Sequence, residues 1–305
     1  MNRRSILFIA AAAGWASPAG QPAGRLVAIA PHSWAWISAD DHSANGAVIV
    51  GDRAAVVVDP GLTPSKAREL LAAARGVTTV PVRYVVLTHW HPDHALGVSC
   101  LGATPFRVIA HPNARLALAR NGGQVALAIA RGVSSGDDKK ALVTCHPALP
   151  DTMAQTAATL DLGGRSVRLI RPGPAHTDGD LIVWEPTERV LVAGDVFMHR
   201  ASPDMGEAYP IHWAAVLDSL VKLEPKAVVA GHFGPSTPED LARFRDYLAT
   251  LVRRVREQLA AGVAQDSVGA RIRMPEFADF AQYPGFHATI ADNAAAVARE
   301  LVARH

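Results

Sequence analysis

The sequence predicts an α+β fold in which two β-sheets pack face to face with helices outside. Three observations predict it. Short β-branched and apolar runs fall into two groups, each ordered strands, helix, strand, helix. Polar residues stand just past the strand ends in both groups, and two packed sheets bring both sets of ends to one edge. Between 238 and 261, Leu241, Phe244, Leu248, Leu251 and Val255 recur at helical spacing, which predicts a long amphipathic helix.

Taken in order, Arg25 to Ala30 and Trp34 to Ile37 are short apolar runs split by Pro31. Gly46 to Val50 and Ala54 to Val58 flank a Gly51-Asp52 turn and predict a hairpin that stops at Asp59-Pro60-Gly61. Ser65 to Ala74 has helical spacing, with Leu70 and Leu71 on its apolar side. Val82 to Leu87 and Arg107 to Ala110 are strands. The alanine and leucine content of 112–132 predicts helix, interrupted at Asn121-Gly122-Gly123. Residues 133–157 carry no clear period. Thr159 to Leu162, Gly163-Gly164 and Ser166 to Ile170 form a second hairpin, and Leu181 to Trp184 and Val190 to Ala193 flank a Glu185-Pro186-Thr187 turn. Trp213 to Leu223 is amphipathic helix, Lys226 to Ala230 the last strand, and Ala288 to Ala303 a terminal helix after an irregular stretch at 262–286.

Composition narrows the function classes. The 305 residues are 49% hydrophobic and 19% charged, a globular balance. Formal net charge is +2, and without Arg3 and Arg4 the chain has 28 basic against 28 acidic residues. That balance leaves no electrostatic footprint for nucleic acid, and no segment approaches the roughly 20 apolar residues of a membrane span. Asn2-Arg3-Arg4, an apolar stretch from Ser5 to Ala16, and small residues at Ala16, Ser17, Ala19 and Gly20 predict a signal peptide over 1–19 and a periplasmic or secreted protein. Arg3-Arg4 before Ser5-Ile6-Leu7 loosely resembles a twin-arginine signal. Cys100 and Cys145 are too few for a disulfide framework and are expected to be structural. Whether they pair, and the oligomeric state, stay open.

The chemistry concentrates at Thr88-His89-Trp90-His91-Pro92-Asp93-His94. Proline has no amide to donate, so the preceding strand ends here. His89, His91, Asp93 and His94 then stand on a turn where their tips can converge. Imidazole and carboxylate are the donors that suit zinc and similar cations. Three later strand ends carry matching groups: His176, Asp195 and His232, each with glycine adjacent or close by. Asp59 ends an earlier strand.

With these residues in place, the chain resembles the metallo-β-lactamase superfamily, whose fold has four layers, two sheets between helices. The resemblance spans about residues 25 to 235 and includes all five motif positions: Asp59, the H-x-H-x-D-H turn, His176, Asp195 and His232. It implies that His89, His91 and His176 hold one metal. Asp93, His94 and His232 hold a second, Asp195 bridges both, and Asp59 orients a ligand. It also implies two zinc ions, with iron and manganese as alternatives, and a small-molecule substrate. A bridging water between two such ions loses its proton near neutral pH and attacks an ester, thioester, lactone or amide carbonyl. Asp93 is the candidate to orient that nucleophile or pass its proton on. The aspartate at 195 is unlike true β-lactamases, which usually have cysteine there, and is similar to the glyoxalase II and lactonase branches. Unlike glyoxalase II, the chain has no evident basic cluster after His232. Ala175 to Leu181, Gly194 to Phe197 and the segment 198–223 around Trp213 resemble exported members found with sulfur-oxidation and quinoprotein systems. Two alternatives remain: a mononuclear-iron sulfur oxygenase, and a non-catalytic metal-binding accessory protein of an exported redox system.

The expected organisation is therefore a signal peptide (1–19), a metallo-β-lactamase domain (20–262) and a C-terminal helical extension (263–305). His111 is expected at the surface or as a cap, and Trp34 and Trp36 in the core. His32 lies in the same early hairpin, which in the family often overhangs the site. Trp90 is expected beneath the metals or beside the opening. His199, Arg200, Asp204, Glu207 and Tyr209 are expected to form a solvent-exposed rim.

Overall fold

A computed structural model of the chain describes residues 24–39, 43–98, 101, 105–132, 136–144, 147, 149–152, 157–281 and 288–303. The expected signal segment and both cysteines lie outside these residues. The first half runs β1 (Gly24–Ala30), β2 (Ser33–Ser38), β3 (Gly46–Val50), β4 (Ala55–Val58), α1 (Pro64–Val77), β5 (Val82–Val86), the single turn α2 (Pro92–Ala95), β6 (Arg107–Ala110), α3 (Pro112–Gly132), α4 (Asp137–Thr144) and β7 (Asp151–Thr152). The second runs β8 (Ala157–Asp161), β9 (Ser166–Ile170), β10 (Ile182–Glu185), β11 (Val190–Val192), α5 (Pro210–Val221), β12 (Ala227–Val229), α6 (Pro238–Ala260), α7 (Val268–Arg271) and α8 (Ile290–Ala303).

One sheet has the order β1-β2-β3-β4-β5-β6-β7 and the other β12-β11-β10-β9-β8. Alternation along the strands divides the core into three slabs, because successive side chains point to opposite faces. Ala47, Ile49, Val56 and Val58 meet Leu169, Val183, Val192 and Val229 between the sheets. Their neighbours Val48, Ala55, Val57 and Val85 pack outward against Leu70 and Leu71 of α1 and Leu118 and Ile129 of α3. Ile182, Trp184, Leu191 and Val228 pack outward against Trp213, Leu217, Leu241, Phe244 and Val297 of α5, α6 and α8. Three slabs make four layers, helix, sheet, sheet, helix.

Strand direction places the site. β4, β5 and β6 run parallel, so their carboxyl ends share one edge. In the second sheet β11 and β12 run parallel, and β10 begins opposite the end of β11, with Val183 paired to Val192. Hydrogen bonds join the two edges. Leu181 N donates to Thr88 O at 2.7 Å, and Asn45 N donates to Gly231 O at 2.7 Å. The Asn45 amide also donates to Ala230 O and Phe233 O, at 3.1 and 2.6 Å.

Several local expectations are corrected. α3 runs through Asn121-Gly122-Gly123 without a break. Each glycine costs a helix about 1 kcal/mol, but Leu118, Val125 and Ile129 are buried along the same helix. A Cβ on Gly122 would lie 2.9 Å from Pro147, so the small residue admits a close neighbour. The stretch at 133–157 holds α4 and β7, and 262–286 contains α7 and a 3-10 segment at Pro275–Ala281. Phe277 and Phe280 from that segment pack on Tyr247 of α6, at 5.5 and 4.8 Å between ring centroids. His32 stands at the far end of the sandwich, bonded to Glu188 in the β10–β11 turn. The early hairpin tip therefore lies away from the strand ends that carry the ligands. His111 is buried rather than at the surface, and it takes the expected capping role: its Nδ1 accepts from Asn113 N at the start of α3, at 3.1 Å.

Candidate metal centre

The functional side chains stand in the connections that leave the strand ends. Beyond β5 come Thr88, His89 and His91. Pro92 then opens α2, so His89 and His91 precede the helical turn while Asp93 and His94 lie within it. Asp59 follows β4, Asp195 lies in a 3-10 turn after β11, and His232 follows β12. His176 sits in the β9–β10 connection, where Asp180 accepts from Ala175 N and Thr177 N and from the Thr177 hydroxyl. Burial pushes Asp180 up to about 7 against those bonds.

The seven expected side chains come together as two adjoining groups, His89, His91, His176 and Asp195, and Asp93, His94 and His232. In the first, His91 Nδ1 lies 3.0 Å from His176 Nε2. Asp195 Oδ2 lies 3.4 Å from His176 Nε2 and 3.9 Å from His89 Nε2. In the second, Asp93 Oδ2 lies 3.0 Å from His232 Nε2 and 3.5 Å from His94 Nε2, and the two imidazole nitrogens are 3.4 Å apart. The other oxygen of Asp195 faces this group, 3.1 Å from His94 Nε2 and 3.5 Å from His232 Nε2.

These separations fit a cation. Two donors bound at about 2.1 Å cannot be more than about 4.2 Å apart, and every spacing above meets that limit. His89 Nε2 is buried and makes no hydrogen bond. A buried polar atom without a partner is costly, and a metal ion satisfies a lone pair placed this way. The His/Asp cluster is thus suited to a divalent metal.

Electrostatics point the same way. Burial is the largest influence on every ring. It pushes His89 well below its ordinary value, with His94 and His91 adding to the effect, and it takes His176 down to about 4. In the second group the carboxylates outweigh burial. Asp195, Asp93 and Asp59 hold His94 well above its ordinary value, and Asp195 and Asp93 raise His232 to about 9. Burial alone would raise Asp195, but His232 and His94 hold it well below the usual carboxylate range. The site stabilises positive charge between its acids.

Outer bonds set the ring orientations. Asp59, left-handed at φ +49°, accepts from Thr88 N at 2.8 Å, from Thr88 Oγ1 at 2.6 Å and from His94 Nδ1 at 2.8 Å. Because the Thr88 hydroxyl donates to Asp59, it is left to accept from His89 Nδ1, 3.1 Å away. One buried carboxylate thus turns the Nε2 of a ring in each group inward, His94 directly and His89 through Thr88. Two glycines permit the close approach. A Cβ on Gly194 (φ +51°) would lie 2.3 Å from Thr88 Oγ1, and one on Gly231 would lie 1.9 Å from Asp195 Oδ1. Gly231→Ala is therefore expected to displace the carboxylate, weakening metal binding and lowering stability by about 1–3 kcal/mol. Elemental analysis and urea unfolding measure the two effects.

Of the expected rim, Arg200, Glu207 and Tyr209 are exposed, Asp204 is half-buried and His199 is buried. His199 and Arg200 both turn to Asp240 at the start of α6. Trp90 is buried beside His91, with ring centroids 5.1 Å apart, and donates through Nε1 to Glu207. Motif reading misses the parts that Thr88 and Asn45 play and places Glu207 only on the rim. Only their proximity to ligands or strand ends hinted at them, and many polar residues share that.

The family model described as the metallo-beta-lactamase superfamily matches residues 39–232. A linear primary-alkylsulfatase from Pseudomonas sp. is 23% identical over 254 residues, covering 72% of this chain and 48% of its own. The chain thus spans about half the length of that relative. A metallo-beta-lactamase type 2 from Bacillus cereus is 25% identical over 203 residues, covering 65% of this chain and 70% of its own. Among solved structures, the inverting sec-alkylsulfatase Pisa1 from Pseudomonas sp. superposes with a TM-score of 0.70 at 18% identity, over 92% of this chain and 51% of that one. At that identity the likeness concerns the fold.

Proposed function

The chain belongs to the metallo-beta-lactamase superfamily, and from that premise we propose that it is a hydrolase with two zinc ions that cleaves an ester, thioester, lactone or amide. The observation that carries the dinuclear reading is Asp195, whose Oδ2 faces His89 and His176 while Oδ1 faces His94 and His232. His89, His91 and His176 would hold one ion, Asp93, His94 and His232 the other, and Asp195 both. Divalent cations held there supply Lewis acidity and water activation at neutral pH.

The side chains do the rest. Asp59 and Thr88 keep inward lone pairs on His94 and His89. Asp93 is more solvent-exposed than Asp195, with 14% of its side chain accessible against 5%. Its carboxylate can hold the nucleophile's proton and deliver it to the leaving atom. Export belongs to the same proposal and rests on Asn2-Arg3-Arg4 and the apolar stretch behind them.

A sulfate ester is a second substrate class, because a linear primary-alkylsulfatase matches over 72% of the chain. A panel of esters, thioesters, lactones, β-lactams and alkyl sulfates, tested on zinc-loaded protein and on His91→Ala, decides. The expected result is turnover of a carbonyl substrate that His91→Ala abolishes. Turnover of alkyl sulfates alone favours the second class. No turnover despite full metal loading removes the hydrolase reading.

A further inference from the structure

Among the seven clustered side chains His91 is the most accessible, at 18% of its side chain. An imidazole with that freedom can turn over or change tautomer, and the tautomer decides which nitrogen keeps its lone pair. His91 uses both ring nitrogens. Nδ1 faces His176 Nε2 at 3.0 Å, inside the first group. Nε2 faces away, 2.5 Å from Glu207 Oε1. The same oxygen accepts from Trp90 Nε1 at 3.1 Å. Glu207 comes from the segment between Asp195 and α5, so one oxygen ties two consecutive residues of the ligand turn to a distant part of the chain.

We infer that Glu207 is a positioning residue for the first metal: it fixes the orientation and tautomer of His91 so that Nδ1 is the ligand atom. An ionised carboxylate only accepts. Beside it, Nε2 must carry hydrogen, which leaves the lone pair on Nδ1. Carboxylate–histidine pairs of this kind set the tautomer and raise the basicity of metal-bound rings. The shared oxygen distinguishes the contact from an ordinary surface ion pair. Trp90 is buried against the ligand turn, so its N–H holds the carboxylate in place and the carboxylate in turn holds the ring. The inference rests on reading the cluster as a metal site.

Glu207→Gln is the informative variant. Glutamine is isosteric and its carbonyl still accepts from Trp90. The oxygen that Trp90 holds is the one that faces His91 Nε2, so the variant keeps the acceptor and removes its charge, which loosens the hold on the tautomer with hydrogen on Nε2. Metal-free parent, Glu207→Gln and Glu207→Asp are titrated with cobalt(II) against a competing chelator, with the cobalt spectrum recorded. One of two equivalents is expected to weaken about 10–100-fold in the glutamine variant, with partial recovery in the aspartate variant and an unchanged melting temperature. Nitrogen NMR of the metal-free protein at alkaline pH, where the ring is neutral, is expected to show His91 protonated on Nε2 in the parent and divided between Nε2 and Nδ1 in Glu207→Gln. Equal cobalt affinity and the same His91 tautomer in parent and variant overturn the inference. A parent that binds no cobalt overturns the metal-site reading instead, and the NMR comparison still decides whether Glu207 sets the tautomer.

Discussion

Asp195→Asn is expected to take the second cation out of the cluster while the chain stays folded. The substitution keeps side-chain volume and removes the one anionic group that faces both clusters, 3.4 Å from His176 Nε2 and 3.1 Å from His94 Nε2. An amide offers one acceptor atom in place of two, and its NH2 group points a donor at an imidazole nitrogen. Removing one partner from a buried charge pair costs about 3–5 kcal/mol, about two to four orders of magnitude in affinity. Elemental analysis is expected to fall from about two metals per chain towards one, with hydrolysis falling alongside it. Unfolding of the metal-free protein is expected to be affected less than metal occupancy, although His94 and His232 lose the carboxylate that faces them. Equal metal content in variant and parent would remove the bridging role.

Asp59→Ala is expected to do the reverse and strike the fold even without metal. Its carboxylate is the acceptor for Thr88 N, Thr88 Oγ1 and His94 Nδ1, and only 1% of the residue is exposed. Alanine leaves three buried donors without that acceptor, and each unsatisfied donor costs about 1–3 kcal/mol. The left-handed backbone at φ +49° adds to the loss, since alanine enters that region at a cost of about 1–2 kcal/mol. Urea unfolding of the metal-free protein is expected to show a loss of at least about 3 kcal/mol. Metal affinity falls as well, because His94 and His89 lose the bonds that turn their Nε2 atoms inward. Asp59→Asn tolerates the backbone and still accepts from Thr88. Its NH2 group meets His94 Nδ1, so this variant is expected to keep more stability while losing metal affinity. Unchanged stability in Asp59→Ala would show that the three bonds are replaceable.

The clustered residues were legible because metal chemistry restricts residue type so strongly. Three histidines and an aspartate in six positions after a β-branched run have few other uses, and His176, Asp195 and His232 repeat the same strand-end placement. The division of the turn at Pro92 was legible too, since proline opens α2 and separates His89 and His91 from Asp93 and His94. Two packed sheets with helices outside followed from the order of strands and helices and from the polar residues at their strand ends, and the family resemblance implied the four layers. Glu207 was not legible as more than a rim residue. Its role depends on a long-range approach to His91 that no local pattern encodes. Local propensity also misplaced a break in α3, where burial of Leu118, Val125 and Ile129 outweighs two glycines. His111 reads as a surface or capping residue; it does cap α3, but the close approach of Gly179 to Ala114 shows that this stretch is covered by the β9–β10 connection.

The central claim is two cations held by seven side chains. Titrating metal-free protein with zinc, followed by calorimetry and by elemental analysis after removal of free metal, tests it directly. Two equivalents per chain are expected in the parent, with one retained in His91→Ala and one in His232→Ala. Well under one equivalent in the folded parent would contradict it.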